Sequence, residues 1–219
     1  MKKLMALIIF CVVSGWYSQG YSLTVNMFGT ISYVDDSDNV LGGVIAVGDT
    51  FTGNYTYDFT PDLEAHSSDT SHYTFTSGMN GLRIVINGIE FKSDVSNLDF
   101  LIEIVNDRLN KDAVSMISYS NLVSTGLVAD TISWQITDAS HTAFSNTDLP
   151  TTALDPADFP DHPSPNLSIF KTLLTHSGDY SYIILGNVTF TETASIPEPA
   201  SLILFIIGLA GLVRRKLQK

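Results

Sequence analysis

The chain has 219 residues, 44% of them hydrophobic. That is enough for one core of about 150–170 residues and too apolar for global disorder. Formal net charge is −12, and between the two basic termini five Lys/Arg stand against 22 Asp/Glu, a middle near −17 that excludes nucleic-acid backbones as partners.

The start reads as a secretory signal over residues 1–22. Lys2 and Lys3 form a positive n-region, Leu4 to Trp16 an apolar h-region, and Ser18, Gly20 and Ser22 supply small residues for cleavage. The mature chain then begins at Tyr21 or Leu23, which makes signal peptidase and the export machinery its first partners. Cys11, the only cysteine, lies inside the h-region. Phe10 before it rules out a lipoprotein site. The mature domain therefore has no thiol, no disulfide and no cysteine nucleophile. Its melting temperature should be the same with and without dithiothreitol; a shift would contradict removal of the leader.

Residues 23–195 form the exported domain. "FTGNYTYDF" alternates, with Phe51, Tyr55, Tyr57 and Phe59 on one face and Thr52, Asn54, Thr56 and Asp58 on the other. "TISWQIT" does the same with Ile132, Trp134 and Ile136. Asn87-Gly88 separates two apolar runs and predicts a type I′ hairpin. Gly186-Asn187 stands between two more. Strands are expected near 24–34, 50–59, 72–77, 82–86, 89–92, 100–106, 113–119, 130–137, 167–174 and 180–193. No proline falls between Pro61 and Pro150 to break a ladder. The expected fold is all-β, an antiparallel β-sandwich of Ig-like or jelly-roll type.

Two stretches read less simply. Leu98, Leu101, Ile102, Val105 and Leu109 recur at helical spacing, while Phe100, Ile102 and Ile104 alternate as in a strand. Strand is the expectation adopted. Residues 145–166 hold five of the eight prolines and read as a long loop, either a binding loop or a disordered excursion.

No Gly-x-Ser-x-Gly elbow, phosphate-cradling loop or His-Glu-x-x-His motif occurs. No catalytic, cofactor or metal residue is assigned, and the protein is expected not to be an enzyme. His66 and His72 flank a polar loop, but exposed loop histidines are the simpler reading. Asp35, Asp36 and Asp38 offer hard oxygen ligands without EF-hand spacing, so a solvated turn is preferred to a calcium site. Asp155, Asp158 and Asp161 take the same discount. The aromatic row Tyr55, Tyr57 and Phe59 reads as core before it reads as a sugar-stacking face. A glycosidase pair cannot be picked from 22 carboxylates.

The chain closes with "IPEPASLILFIIGLAGLVRRKLQK". Ala200 to Val213 is a charge-free run of 14 residues. As a helix it spans about 21 Å, short against the ~30 Å hydrocarbon core of a bilayer. Arg214, Arg215 and Lys216 hold the far end on the cytoplasmic side, so the domain lies outside. Pro197 and Pro199 keep the stretch around Glu198 extended.

Pro-Glu-Pro, a short apolar helix and a basic cluster, in that order, resemble the PEP-CTERM sorting signal of Gram-negative bacteria, here residues 196–219. The resemblance implies recognition of Pro197, Glu198 and Pro199 by an exosortase. It also implies a transient hold in the inner membrane, then transfer to the cell surface or outside. "FGTISYVDD" and "VGDTFTGNYTYD", with Gly29, the Val47-Gly48-Asp49 step, Gly53 and the Tyr55/Tyr57 strand, are similar to the opening of many exported β-domains that carry this tail. The leading expectation is thus a non-enzymatic surface or matrix protein linked to exopolysaccharide or biofilm. A carbohydrate-binding module, calcium-assisted or not, and a secreted hydrolase are the competing readings.

Overall fold

A computed structural model describes residues 22–109, 111–159, 166–172 and 180–194. The expected signal segment up to residue 21 and the tail from residue 195 lie outside these. Among the described residues no helix is long and apolar enough to cross a membrane.

Thirteen strands form: β1 Ser22–Asp35, β2 Thr50–Asp58, β3 Leu63–His66, β4 Thr70–Phe75, β5 Gly81–Ile86, β6 Ile89–Ser93, β7 Phe100–Val105, β8 Asp112–Ser118, β9 Asn121–Val123, β10 Val128–Ala129, β11 Thr131–Asp138, β12 Leu167–Thr172 and β13 Tyr180–Thr193. The only described helix is a 3-10 turn at Pro156–Asp158. All-β is therefore correct.

The strands do not split into two separate sheets as a simple sandwich would. They bond into one antiparallel sheet, ordered β10-β9-β6-β5-β2-β1-β13-β12-β11-β8-β7-β4-β3, curled into a half-barrel. The curl is measurable. β2 and β11 are four places apart, about 19 Å on a flat sheet at ~4.8 Å per strand. Yet Tyr55 of β2 stacks on Trp134 of β11 with ring centroids 5.4 Å apart. Ser93 of β6 and Ser118 of β8 meet, Oγ to Oγ, at 2.7 Å.

Strand parity builds the interior. Phe51, Tyr55 and Tyr57 are buried, as are Ile132, Trp134 and Ile136. In β7, Phe100, Ile102 and Ile104 face inward at 0% exposure, while Leu109 is 83% exposed at φ 52°. Strand parity thus prevails over the helical spacing. Asn87 and Gly88 both take positive φ between the paired Ile86 and Ile89, the turn the sequence demands. Gly186-Asn187 does not turn. β13 runs straight through it, and Gly186 lies against Phe51 and the backbone of Thr30.

Gly29 and Gly53 have a steric cause. A Cβ at Gly29 would overlap the Asn187 carbonyl and the Phe51 ring. One at Gly53 would overlap the Arg83 carbonyl and the Ile84 side chain. Bulges beside Gly29 and between Ile31 and Tyr33 bend the β1–β13 ladder where the sheet curls.

The described part of the proline-rich loop is no free excursion. It straps the open side of the half-barrel. The Thr147 carbonyl accepts from the Tyr73 hydroxyl at 2.7 Å, that of Pro150 from Tyr57 at 2.5 Å, and that of Leu154 from Thr191 at 2.7 Å. Phe144, Leu149 and Leu154 pack on the core, and Phe159 is part of it.

Candidate functional site

The strands that carry the two chain ends are neighbours. Val25 pairs with Thr193, and the Ala194 N–H donates to the Thr24 carbonyl at 2.9 Å. Only Ser195 and Ile196 separate this last bond from Pro197. Fully extended, they place the motif at most about 10 Å from the end of the sheet. Pro197, Glu198, Pro199, Arg214, Arg215 and Lys216 themselves lie outside the described residues.

The acidic candidates are occupied by local structure. The Asp35 carboxylate accepts from the Ser37 hydroxyl at 2.7 Å, Asp36 from the N–H groups of Val40 and Leu41, and Asp38 from the Ser181 hydroxyl. Each carboxylate turns to a different donor, as in a turn. Asp155 accepts from the Ala157 N–H and caps the 3-10 turn, with Asp158 inside that turn. Asp161 lies outside the described residues. His66 binds Ser71 and Glu64, whereas His72 binds Glu103 at 2.6 Å. His72 pairs across the ladder with Ala65, so His66 and His72 project from opposite faces. No group of three metal-ligating side chains forms among the described residues.

Of the row considered for sugar stacking, Tyr55 and Tyr57 are core at 0% exposure, and Phe59 is partly buried against it. Two features escaped the sequence reading. The first is a carboxylate pair. Asp112 and Asp138 stand opposite one another on β8 and β11, both buried. Asp112 accepts from the Asp107 and Phe144 N–H groups. Asp138 accepts from the Ser140 hydroxyl and the N–H groups of Ser140, Thr142 and Ala143, and these bonds lower its pKa to about 2. A glycosidase acid needs the opposite shift. The pair holds two loops in place.

A pH dependence follows. A depressed carboxylate stabilises the fold fully above its unfolded value, about 3.9, and loses that contribution as pH falls through the folded value. Denaturant midpoints measured from pH 5 to pH 2 should fall for the wild type. They should fall less steeply for Asp138→Ala, which starts lower at neutral pH. Parallel curves would exclude this role.

The second feature is an outer face. β1 turns Thr24, Asn26, Phe28 and Thr30 outward, paired across the ladder with Thr56, Asn54, Thr52 and Thr50 of β2. None is charged. Phe28 meets Phe190 of β13 with ring centroids 5.8 Å apart, and Phe190 is 48% exposed. Beside them lies a shallow groove of about 380 Å³, lined by Thr24, Asn54, Thr56 and Met79 and bordered by Arg83 and Lys92. Both cations are paired to Glu90, at 2.6 and 2.8 Å.

An all-β domain whose last strand runs almost directly into a Pro-Glu-Pro segment defines a class: an exported domain with a C-terminal sorting signal. Residues 195–216 match the family model of the PEP-CTERM protein-sorting motif. The chain carries that motif, which implies exosortase processing and a surface or extracellular location. No curated protein and no solved structure gives a significant match to the chain.

Proposed function

We propose that this is a non-enzymatic surface or matrix protein, freed from a temporary membrane hold by an exosortase and then retained in exopolysaccharide or biofilm. The sorting motif at 195–216 carries the reading. Signal peptidase removes the leader during export, so that the chain begins at Tyr21 or Leu23. Residues 200–213 hold the chain in the inner membrane while Arg214, Arg215 and Lys216 stop translocation. The exosortase reads Pro197, Glu198 and Pro199 and cuts nearby.

The geometry supports this order of events. Both membrane-linked ends leave from adjacent strands, so one end of the folded sheet faces the bilayer. With two residues between the last sheet bond and Pro197, the enzyme meets its motif against a folded domain. Cells lacking the exosortase test the reading. The protein should move from the surface or medium to the inner-membrane fraction. An unchanged distribution would refute it.

A further inference from the structure

We infer that the outer face of β1, β2 and β13 is a binding platform for an uncharged polysaccharide, centred on Phe28 and Phe190. This deepens the matrix association proposed above and rests on it only for location.

The first argument is charge. The domain carries a net charge near −17, yet the outward positions of β1 and β2 between Thr24 and Thr30 and between Thr50 and Thr56 hold none. The charges next to them, Arg83, Glu90 and Lys92, are joined to one another. Two carboxylates mark the border of the uncharged patch: Glu192 on β13, on the same face and opposite Asn26, and Asp58, one outward step beyond Thr56 on β2. A polyanion is repelled by such a domain, and a polycation would seek its acidic loops. A neutral chain of hydroxyls fits the face itself.

The second argument is the chemistry on the face. Asn26 and Asn54 stand opposite each other and make no side-chain hydrogen bond within the described residues, and Thr52 makes none either. Amides and hydroxyls left open in this way can both donate to and accept from sugar hydroxyls. Phe190, exposed, and Phe28, half-buried beside it, offer a ring surface one rung further along. A pyranose presents a C–H face that stacks on such a surface while its equatorial hydroxyls point sideways. The groove at Asn54 extends the platform toward β5 and β6. A polymer lying obliquely over the strands would meet the groove, the amides and then the rings, which stand one rung away from Asn26 in register with Thr52.

The test is affinity electrophoresis of the processed protein from its producing cells. The gels contain hydroxyethylcellulose, galactomannan, dextran, the neutral fraction of the cells' own extracellular polysaccharide, or alginate as a polyanion. The wild type should be retarded by a neutral polymer and not by alginate. Phe190→Ala and Asn54→Ala should each weaken retardation about tenfold or more, while their melting curves stay close to the wild type because both sites lie outside the core. Leu63→Ala, an exposed apolar site on the edge strand β3, should behave as the wild type.

No retardation in any neutral gel overturns the inference. So does equal retardation of the Phe190→Ala variant, or a dimer that buries this face without binding sugar. Were the tail to stay uncut, the protein would be extracted in detergent and run in the same gels. A failure of sorting is thereby separated from a failure of binding.

Discussion

Trp134→Ala should remove about 3–5 kcal/mol of folding stability, the usual cost of deleting a buried large aromatic side chain. Total stability of such a domain is about 5–15 kcal/mol, so the variant should be marginal or unfolded at 37 °C. Trp134 is at 0% exposure and stacks on Tyr55 across the interior. The contact joins two strands four places apart in the sheet, so it closes the curl rather than decorating one strand. Tyr55 also lies beside Tyr57 at 6.1 Å, and Tyr57 beside Phe75 at 6.4 Å, so the cavity would open in the middle of an aromatic row. Urea denaturation measures the loss. Leu63→Ala at 65% exposure supplies the contrast, with a change within about 0.5 kcal/mol. A loss below about 1 kcal/mol for Trp134→Ala would mean that β2 and β11 do not pack across the curl as described.

The inward rows were legible because a strand has a period of two. Phe51, Tyr55 and Tyr57, Ile132, Trp134 and Ile136, and Phe100, Ile102 and Ile104 all announce their burial by alternation. Asn87-Gly88 announced its turn because few other pairs accept two positive φ values. The curl was not legible. It depends on bulges in β1 and on contacts between residues far apart in sequence, such as Ser93 with Ser118, which no local pattern encodes.

The strands β3, β9 and β10 were missed for a different reason. Each is four residues or shorter, and all four positions of β3 are exposed, so no alternation marks it. A short edge strand carrying a charged side chain, as β3 does with Glu64, also protects the sheet from pairing with other chains. The strap could have been inferred in part. Phe144, Leu149, Leu154 and Phe159 are too apolar for a free loop, but the prolines dominated the reading.

Of the candidate site, the motif was visible because its chemistry is contiguous: prolines, carboxylate, apolar run and cations follow one another in the chain. The platform was not. Phe28 and Phe190 are 162 positions apart, and only the β1–β13 pairing brings them together. Asp112 and Asp138 are likewise joined only by register.

The second large effect concerns the tail. Glu198→Ala should reduce processing about tenfold or more. A hydrogen bond to a charged group is worth about 1.5–3 kcal/mol, and 1.36 kcal/mol is a tenfold change in rate. Precursor should then accumulate in the membrane with its C-terminus intact. The domain should melt as before, because the last described sheet bond is made by Ala194. Pro197 and Pro199 remain in this variant, so the test isolates the carboxylate from the two prolines that flank it. A plain C-terminal anchor predicts no effect of the substitution on distribution or length.

The central claim is that the tail is held for a time and then removed. Mass spectrometry of the C-terminal peptide from the wild-type surface or secreted protein tests it most directly. The account predicts a new C-terminus near Pro197-Glu198-Pro199 and no peptide from the apolar run or the basic cluster. Recovery of a peptide ending at Lys219 from the mature protein would contradict it.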